Sequence, residues 1–354
     1  MGDALVAAGG LMCPSPFPAL DRVQLGHGSG GKLSAALLRD RFLPAFTNPA
    51  LLQLGDAAVV SLGSASVAIS TDTFVVQPLE FPGGNIGSLA VHGTVNDVAM
   101  MGARPRYLTA GFVLEEGLAF DLLDRVVAAM ARSAESAGVP LVAGDTKVVE
   151  RGKADGMFIN TTGVGEIDPD FRPGPTRARP GDAVLVSGPI GRHGMAIMAA
   201  REGLAFQSEI QSDSACLVPL VLRLRQTVGP EVHVLRDPTR GGVASALNEI
   251  AVASGVGVSL DELAIPIPEA VVAACEMLGL DPLYVANEGV LIAVVPGPSA
   301  ERALAALRAE PLGAEAAVIG RIVPDHVGLV ALHTAIGGSR IVDLLPGDQL
   351  PRIC

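Results

Sequence analysis

The chain has 25 basic residues, and its three lysines stand at positions 32, 147 and 153. Two of them lie in motifs fit for chemistry, Gly30-Gly31-Lys32 and Gly144-Asp145-Thr146-Lys147. A lysine ammonium is a compact charge with three donors, different in kind from the planar guanidinium this sequence otherwise uses. The stretch Gly26-His27-Gly28-Ser29-Gly30-Gly31-Lys32-Leu33 approaches the phosphate-loop pattern GxxxxGK[ST], but Leu33 stands where a hydroxyl must meet magnesium, so that reading is rejected. Two readings remain: a glycine loop whose N–H groups and Lys32 close over phosphates, or a linker.

Carboxylates recur where strands are expected to end or helices to start: Asp56 in Gly55-Asp56-Ala57, Asp72 in Thr71-Asp72-Thr73, Asp97 after Asn96, and Asp145 before Thr146. Magnesium takes hard oxygen ligands and shares them between a few carboxylates and nucleotide phosphates. Each Asp alone reads equally as a cap or turn residue. Asp97 lies in the apolar run Val95–Met101, where a carboxylate is costly unless paired or ligating. Glu288, in Asn287-Glu288-Gly289, sits between apolar runs; desolvated there it would be a base of raised pKa, and otherwise a solvated turn residue. Asp237-Pro238-Thr239-Arg240-Gly241-Gly242 is expected to open a helix with Asp237 as its cap, the two glycines admitting either a close backbone neighbour or a phosphate. Cys354 is the last residue of the sequence, in Leu350-Pro351-Arg352-Ile353-Cys354; it is not four from the end, as prenylation requires.

These groups need a scaffold to bring them together. A chain of 354 residues is long for one core, so two domains are expected. Apolar residues are 49% and aromatics 3%, with no Trp, so the core must be aliphatic, and the Val/Ala/Ile runs alternating with helical periods point to an α/β (α+β) fold. Strands are expected at 57–62, 65–71, 106–114, 139–144 and 157–165, with helices at 85–101 and 120–137. A Pro/Gly/Arg-rich stretch at 170–181 reads as a linker. Beyond it come strands at 182–187, 256–260 and 283–295 and on to about 344, and helices near 191–202, 215–226, 241–254, 268–279 and 299–309. The expected division is an N-terminal leader and glycine-rich arm at 1–50, domains at 51–170 and 180–344, and an exposed, flexible tail at 345–354.

A net charge of −12 disfavours a duplex nucleic-acid partner, which draws on clustered Lys and Arg. No apolar run spans a bilayer, and residues 1–20 lack a secretory pattern, so a cytoplasmic location is expected, with the leader and its Cys13 disordered and non-catalytic. The four cysteines are far apart and form no CxxC pair, which suits neither a zinc knuckle nor a disulfide framework.

Taken together, the segments His27–Lys32, Thr71–Thr73 with Gln77–Gly84, Gly93–Asp97, Gly144–Val149, Asp237–Gly242 and Pro351–Cys354 resemble the HypE family of hydrogenase maturation factors, in the superfamily of aminoimidazole ribonucleotide and selenophosphate synthetases. The resemblance covers nearly all of residues 22–354. It implies a two-domain PurM-like fold, a homodimer formed through the N-terminal domains, and ATP held with Mg2+ on Asp56, Asp72, Asp97 and Asp145. It further implies that a carbamoyltransferase, HypF, loads a carbamoyl group on Cys354. ATP-driven dehydration to a thiocyanate would follow, and transfer of cyanide to iron on a HypC/HypD scaffold for the [NiFe] cofactor. On that reading Glu288 is the base near the tail and Lys147 positions substrate or relays the proton. Lys32, Gly30 and Gly31 close the phosphate end, and Asn96 and Thr146 line the nucleotide site. Rival readings are a selenophosphate or aminoimidazole ribonucleotide synthetase, or a non-catalytic nucleotide-binding scaffold that presents its tail. The first would want a reactive Cys where His27 stands, and the second would need no terminal cysteine.

Overall fold

A computed structural model describes residues 22–46, 48–203, 210–347, 350 and 352–354. The leader and Cys13 lie outside the described residues. An arm carries the glycine run and two short helices, α1 (Lys32–Leu37) and α2 (Leu43–Phe46). A first unit follows: β1 (Ala58–Leu62), β2 (Ala65–Phe74), the small hairpin β3 (Glu80–Phe81) and β4 (Gly84–Asn85), α3 (Ile86–Met100), β5 (Ala103–Glu115), α4 (Phe120–Ala137), β6 (Leu141–Val149) and β7 (Met157–Ile167). Its sheet runs β1-β2-β7-β5-β6; only β5 and β6 pair in parallel. The chain then passes through 168–181 into β8 (Asp182–Val186), α5 (Arg192–Glu202), α6 (Val218–Thr227), β9 (Val234–Arg236), α7 (Gly242–Ser254), β10 (Gly257–Asp261), α8 (Glu269–Leu278), β11 (Ile292–Pro296), α9 (Ala300–Arg308), β12 (Ala317–Val323), β13 (Val330–His333) and β14 (Ser339–Ile341). The second sheet is ordered β14-β13-β10-β12-β8-β11-β9.

The central helix α3 is buried on nearly every side, which its Gly, Ala and Val content allows. Asn85 caps it by accepting from the N–H groups of Gly87 and Ser88, and Ser88 Oγ returns the bond to the cap residue. Its path across β7 needs glycines beneath it: a Cβ on Gly163 would meet Thr94 Cγ2 at 2.9 Å. In the second unit β8 beyond Asp182, and β11, are apolar because both faces are covered. Val184, Val186, Ile292 and Val294 enter one core, while the alternate residues Ala183, Leu185, Ala293 and Val295 enter another. The second of these cores also takes Ala99 and Met100 from α3, so the two units share apolar packing.

Two local expectations are corrected. Of the strands expected within 283–295 one forms: a 3-10 turn holds Pro282–Tyr284, and the strand starts at Ile292, because Asn287 and Glu288 are tied to other segments instead of a ladder. Asp237 is not a helix cap either. The α7 cap is Gly241, at φ +76°, and Asp237 stands on the loop before it. Gly242 is there for close approach, since a Cβ would lie 2.5 Å from the carbonyl oxygen of Leu283.

Candidate active site

Asp56, Asp97 and Asp237 meet between the units: one carboxylate oxygen of each lies within 4.8 Å of the others. Asp97 comes from α3, Asp56 from the chain leading into β1, and Asp237 from the loop after β9. Burial raises the pKa of all three, that of Asp237 to about 6, and their mutual repulsion raises Asp56 and Asp97 further. Two contacts oppose this: Arg236 pairs with Asp56, and Ser70 Oγ donates to Asp97 Oδ2 at 2.6 Å. Asp72, half-buried near the end of β2, is raised by burial and lies close enough to add to the repulsion on Asp97. Such a group of hard oxygens, short of positive charge, fits a divalent cation.

Glu288 is 2% exposed. Its N–H donates to Asp213 Oδ1 at 3.0 Å, and its carbonyl accepts from Asn96 Nδ2 at 3.3 Å. The neighbouring Asn287 side chain accepts from Gly191 N at 2.6 Å and donates to Pro238 O at 2.9 Å. Burial, then Asp237, Asp72 and Asp213, hold the Glu288 carboxyl well above its ordinary range. Gly93 of α3 faces Glu288 Oε2, which a Cβ there would meet at an ordinary 3.8 Å; the glycine is required by the Phe74 ring, which that Cβ would meet at 2.9 Å.

The tail runs into this place. Cys354 is half-buried, and burial pushes its thiol up, as do Glu288, Asp72 and Asp97; Arg240 pulls the other way. Val75 N–H donates to Cys354 O at 3.0 Å, and Gln77 N–H to Arg352 O at 3.3 Å, so the described tail residues lie alongside the chain that continues β2. The segment expected to be exposed is, in this structure, turned inward: Ile353 is 3% exposed. A cleft of about 170 Å3 opens beside it, lined among others by Gly28, Ser29, Thr73, Arg240, Ile353 and Cys354.

The remaining expected residues divide. Gly30 and Gly31 are pressed against the site: a Cβ on Gly30, at φ +80°, would meet Arg240 O at 2.8 Å, and Gly31 abuts Leu345 O. Arg240 Nη1 donates to Gly28 O at 3.1 Å, which fixes the glycine run as a packed loop rather than a linker. Lys32 pairs with Asp343 at 2.6 Å, at the surface. Asn96 is spent as a latch between units, accepting from Leu217 N at 2.8 Å and donating to Ala215 O at 2.9 Å, so its amide faces backbone rather than a ligand. Asp145, Thr146 and Lys147 lie on β6, exposed at the sheet edge, with Lys147 paired to Asp145 at 2.6 Å; they do not join the carboxylate cluster within this chain. Asp237, Arg240 and Asp213 were not expected at the site. A clue to the first two was their place in a motif whose glycines demanded an unexplained close neighbour.

Residues 54–167 match the AIR synthase related protein, N-terminal domain, and 179–332 its C-terminal domain. The carbamoyl dehydratase HypE of Azotobacter vinelandii is 56% identical over 332 residues, covering 94% of this chain and 97% of that one. A crystal structure of the hydrogenase maturation protein HypE in complex with ATP superposes with a TM-score of 0.80 at 54% identity, over 93% of this chain and 98% of the other. A HypE–HypF complex gives 0.83 at 47% identity, over 88% and 100%.

Proposed function

Since the chain belongs to the AIR synthase related proteins and, within them, to the carbamoyl dehydratase HypE family, we propose that it uses ATP to dehydrate a carbamoyl group carried on its own Cys354. The product is a thiocyanate that supplies cyanide to the [NiFe] hydrogenase cofactor. The observation that carries this reading is the inward tail, with the Cys354 sulfur in the electrostatic reach of Arg240, Glu288, Asp72 and Asp97.

The balance is R–S–C(=O)–NH2 plus ATP giving R–S–C≡N, ADP and phosphate. The amide must lose its oxygen and two protons. The carboxamide oxygen takes the γ-phosphoryl group from ATP as nitrogen gives up one proton to Glu288, a buried carboxylate of raised pKa, and the C–O bond then breaks as the second proton leaves with the departing phosphate. Arg240 places a guanidinium at the same point and favours the developing negative charge. Asp56, Asp97 and Asp237, with Asp72 beside them, would hold Mg2+, which when bound offsets the charge of the phosphoryl groups. The Gly28–Gly31 loop closes the cleft on the side of Arg240.

A homodimer accounts for β6. This edge strand leaves Leu141, Val142 and Val148 exposed, and covering it with a second copy would bring Asp145, Thr146 and Lys147 out of solvent toward a shared site. The HypE–HypF complex supports HypF as a partner, and its role as carbamoyl donor, HypC/HypD as acceptor and a cytoplasmic location rest on the family resemblance. Among the described residues no helix is long and apolar enough to cross a membrane. The test is ADP formation by the carbamoylated chain, expected at one ADP per chain and absent in Cys354→Ala. ADP release that persists in that variant at an equal yield contradicts the assignment.

A further inference from the structure

The groups that hold the tail are not the groups that react with it. His193 and Arg201 stand at the two ends of α5. Arg201 Nη2 donates to the carbonyl of Arg352 at 2.7 Å, and Nε and Nη2 donate to Gln77 O at 2.9 and 2.7 Å. His193 Nε2 lies 2.9 Å from Ile353 O, and its Nδ1 lies 2.8 Å from Ser212 Oγ. The imidazole is fully buried, and burial lowers its pKa to about 4, so it is neutral. With both ring nitrogens engaged, Nε2–H donates to the tail carbonyl and Nδ1 accepts from the serine hydroxyl. The ring is held edge-on to Phe81, with centroids 5.6 Å apart and planes at 86°.

The tail answers with its own side chains. Ile353 enters the apolar core of the first unit, in a cluster that also holds Ile197 of α5 and Ala286. Arg352, at φ +53°, pairs with Asp155, donates from Nε to Val75 O at 3.1 Å and lies 6.0 Å from the Phe158 ring centroid. Every one of these contacts is made to main chain or to residues 352 and 353. The sulfur of Cys354 takes no part, so the contacts are the same for a thiol, a thiocarbamate or a thiocyanate.

We propose that His193 and Arg201 are positioning residues. They clamp the tail by the carbonyls of Ile353 and Arg352, and so place whatever Cys354 carries against Arg240 and Glu288. The clamp thus reads an Arg-Ile-Cys end by backbone and two side chains, in the manner of an added strand with side-chain pockets. The proposal rests on Cys354 as the carrier of the reacting group.

The full chain is tested in two independent arms. In the first, with no partner or nucleotide, alkylation of each cysteine by iodoacetamide is followed by peptide mass. Cys354 is expected to react about tenfold or more faster in His193→Ala and Arg201→Ala than in the wild type, as the loss of a buried hydrogen bond implies. Cys275, buried in the second unit, must stay unchanged, which separates tail release from unfolding. His193→Gln keeps an N–H donor and should restore slow alkylation. If either alanine variant unfolds, Ile353→Asp replaces it, because its charge acts on the tail alone. In the second arm, the carbamoylated variants should dehydrate at least tenfold more slowly, with rescue by His193→Gln. Unchanged Cys354 alkylation overturns the clamp, and so does faster alkylation with undiminished dehydration. A wild type that shows the alkylation pattern yet never dehydrates leaves the clamp in place and removes the reaction instead.

Discussion

Truncating Ile353 to Ala tests how the tail is kept in. The side chain is 3% exposed, so the docked state buries nearly all of it and the released state none. Ile353→Ala removes three carbons, at about 0.8 kcal/mol for each buried methylene, or about 2.4 kcal/mol in all. The docked-to-released ratio should therefore fall about 60-fold, at 1.36 kcal/mol per decade. The assay is the rate of Cys354 alkylation, read by peptide mass beside that of the buried Cys275. The rate should rise by about 60-fold, or to the ceiling set by a free cysteine peptide if that is reached first. A Cys354 that reacts no faster in Ile353→Ala than in the wild type refutes the reasoning, as does a wild-type Cys354 already at the ceiling.

Other outcomes follow from the same contacts. Glu288→Gln removes the base with little change of shape, so the carbamoylated chain should accumulate, with dehydration slower by about 10²–10⁴-fold; normal turnover removes Glu288 from the mechanism. Asp237→Asn takes one charge from three repelling carboxylates, so it should raise the melting temperature without metal and abolish the rise on adding MgCl2; an equal Mg2+ response in both proteins contradicts the cation site. His193 is held at about 4 against an ordinary 6.5, so its contribution is complete above pH 6.5 and is lost as pH falls toward 4. At pH 5 the loss is about 2 kcal/mol, from roughly 1.5 pH units at 1.36 kcal/mol each. His193→Gln should lose that much less stability than the wild type between pH 7 and pH 5, and parallel losses contradict it.

Much of the scaffold was legible because its segments are locally consistent. The helix over 120–137 and the strand over 57–62 follow from periodicity alone, and both lie within a residue of the observed Phe120–Ala137 and Ala58–Leu62. Asp56, Asp72 and Asp97 were readable only as a set, with Asp145, because each alone reads as a cap or turn residue and Asp97 alone was costly where it stood. Asp237 was not legible. Its sequence context mimics a helix cap, and only the packing of Gly241 and Gly242 against Ser245 and Leu283 moves the helix start past it. Lys147 and Asp145 were legible as a motif, yet their place on an edge strand depends on strand order, which no local pattern encodes. The inward tail was illegible for the same reason: Leu350–Cys354 has no period, and what binds it comes from α5, Gln77 and Asp155, far away in sequence.

The central claim is that Cys354 carries the reacting group, and the mass of its peptide tests it most directly. After incubation of the full chain with HypF, carbamoyl phosphate and ATP, the peptide ending in Cys354 should gain one carbamoyl group and then lose one water. Modification of Cys13, Cys216 or Cys275 in its place, or a carbamoyl group on Cys354 that keeps its water while ATP is consumed, would contradict the account.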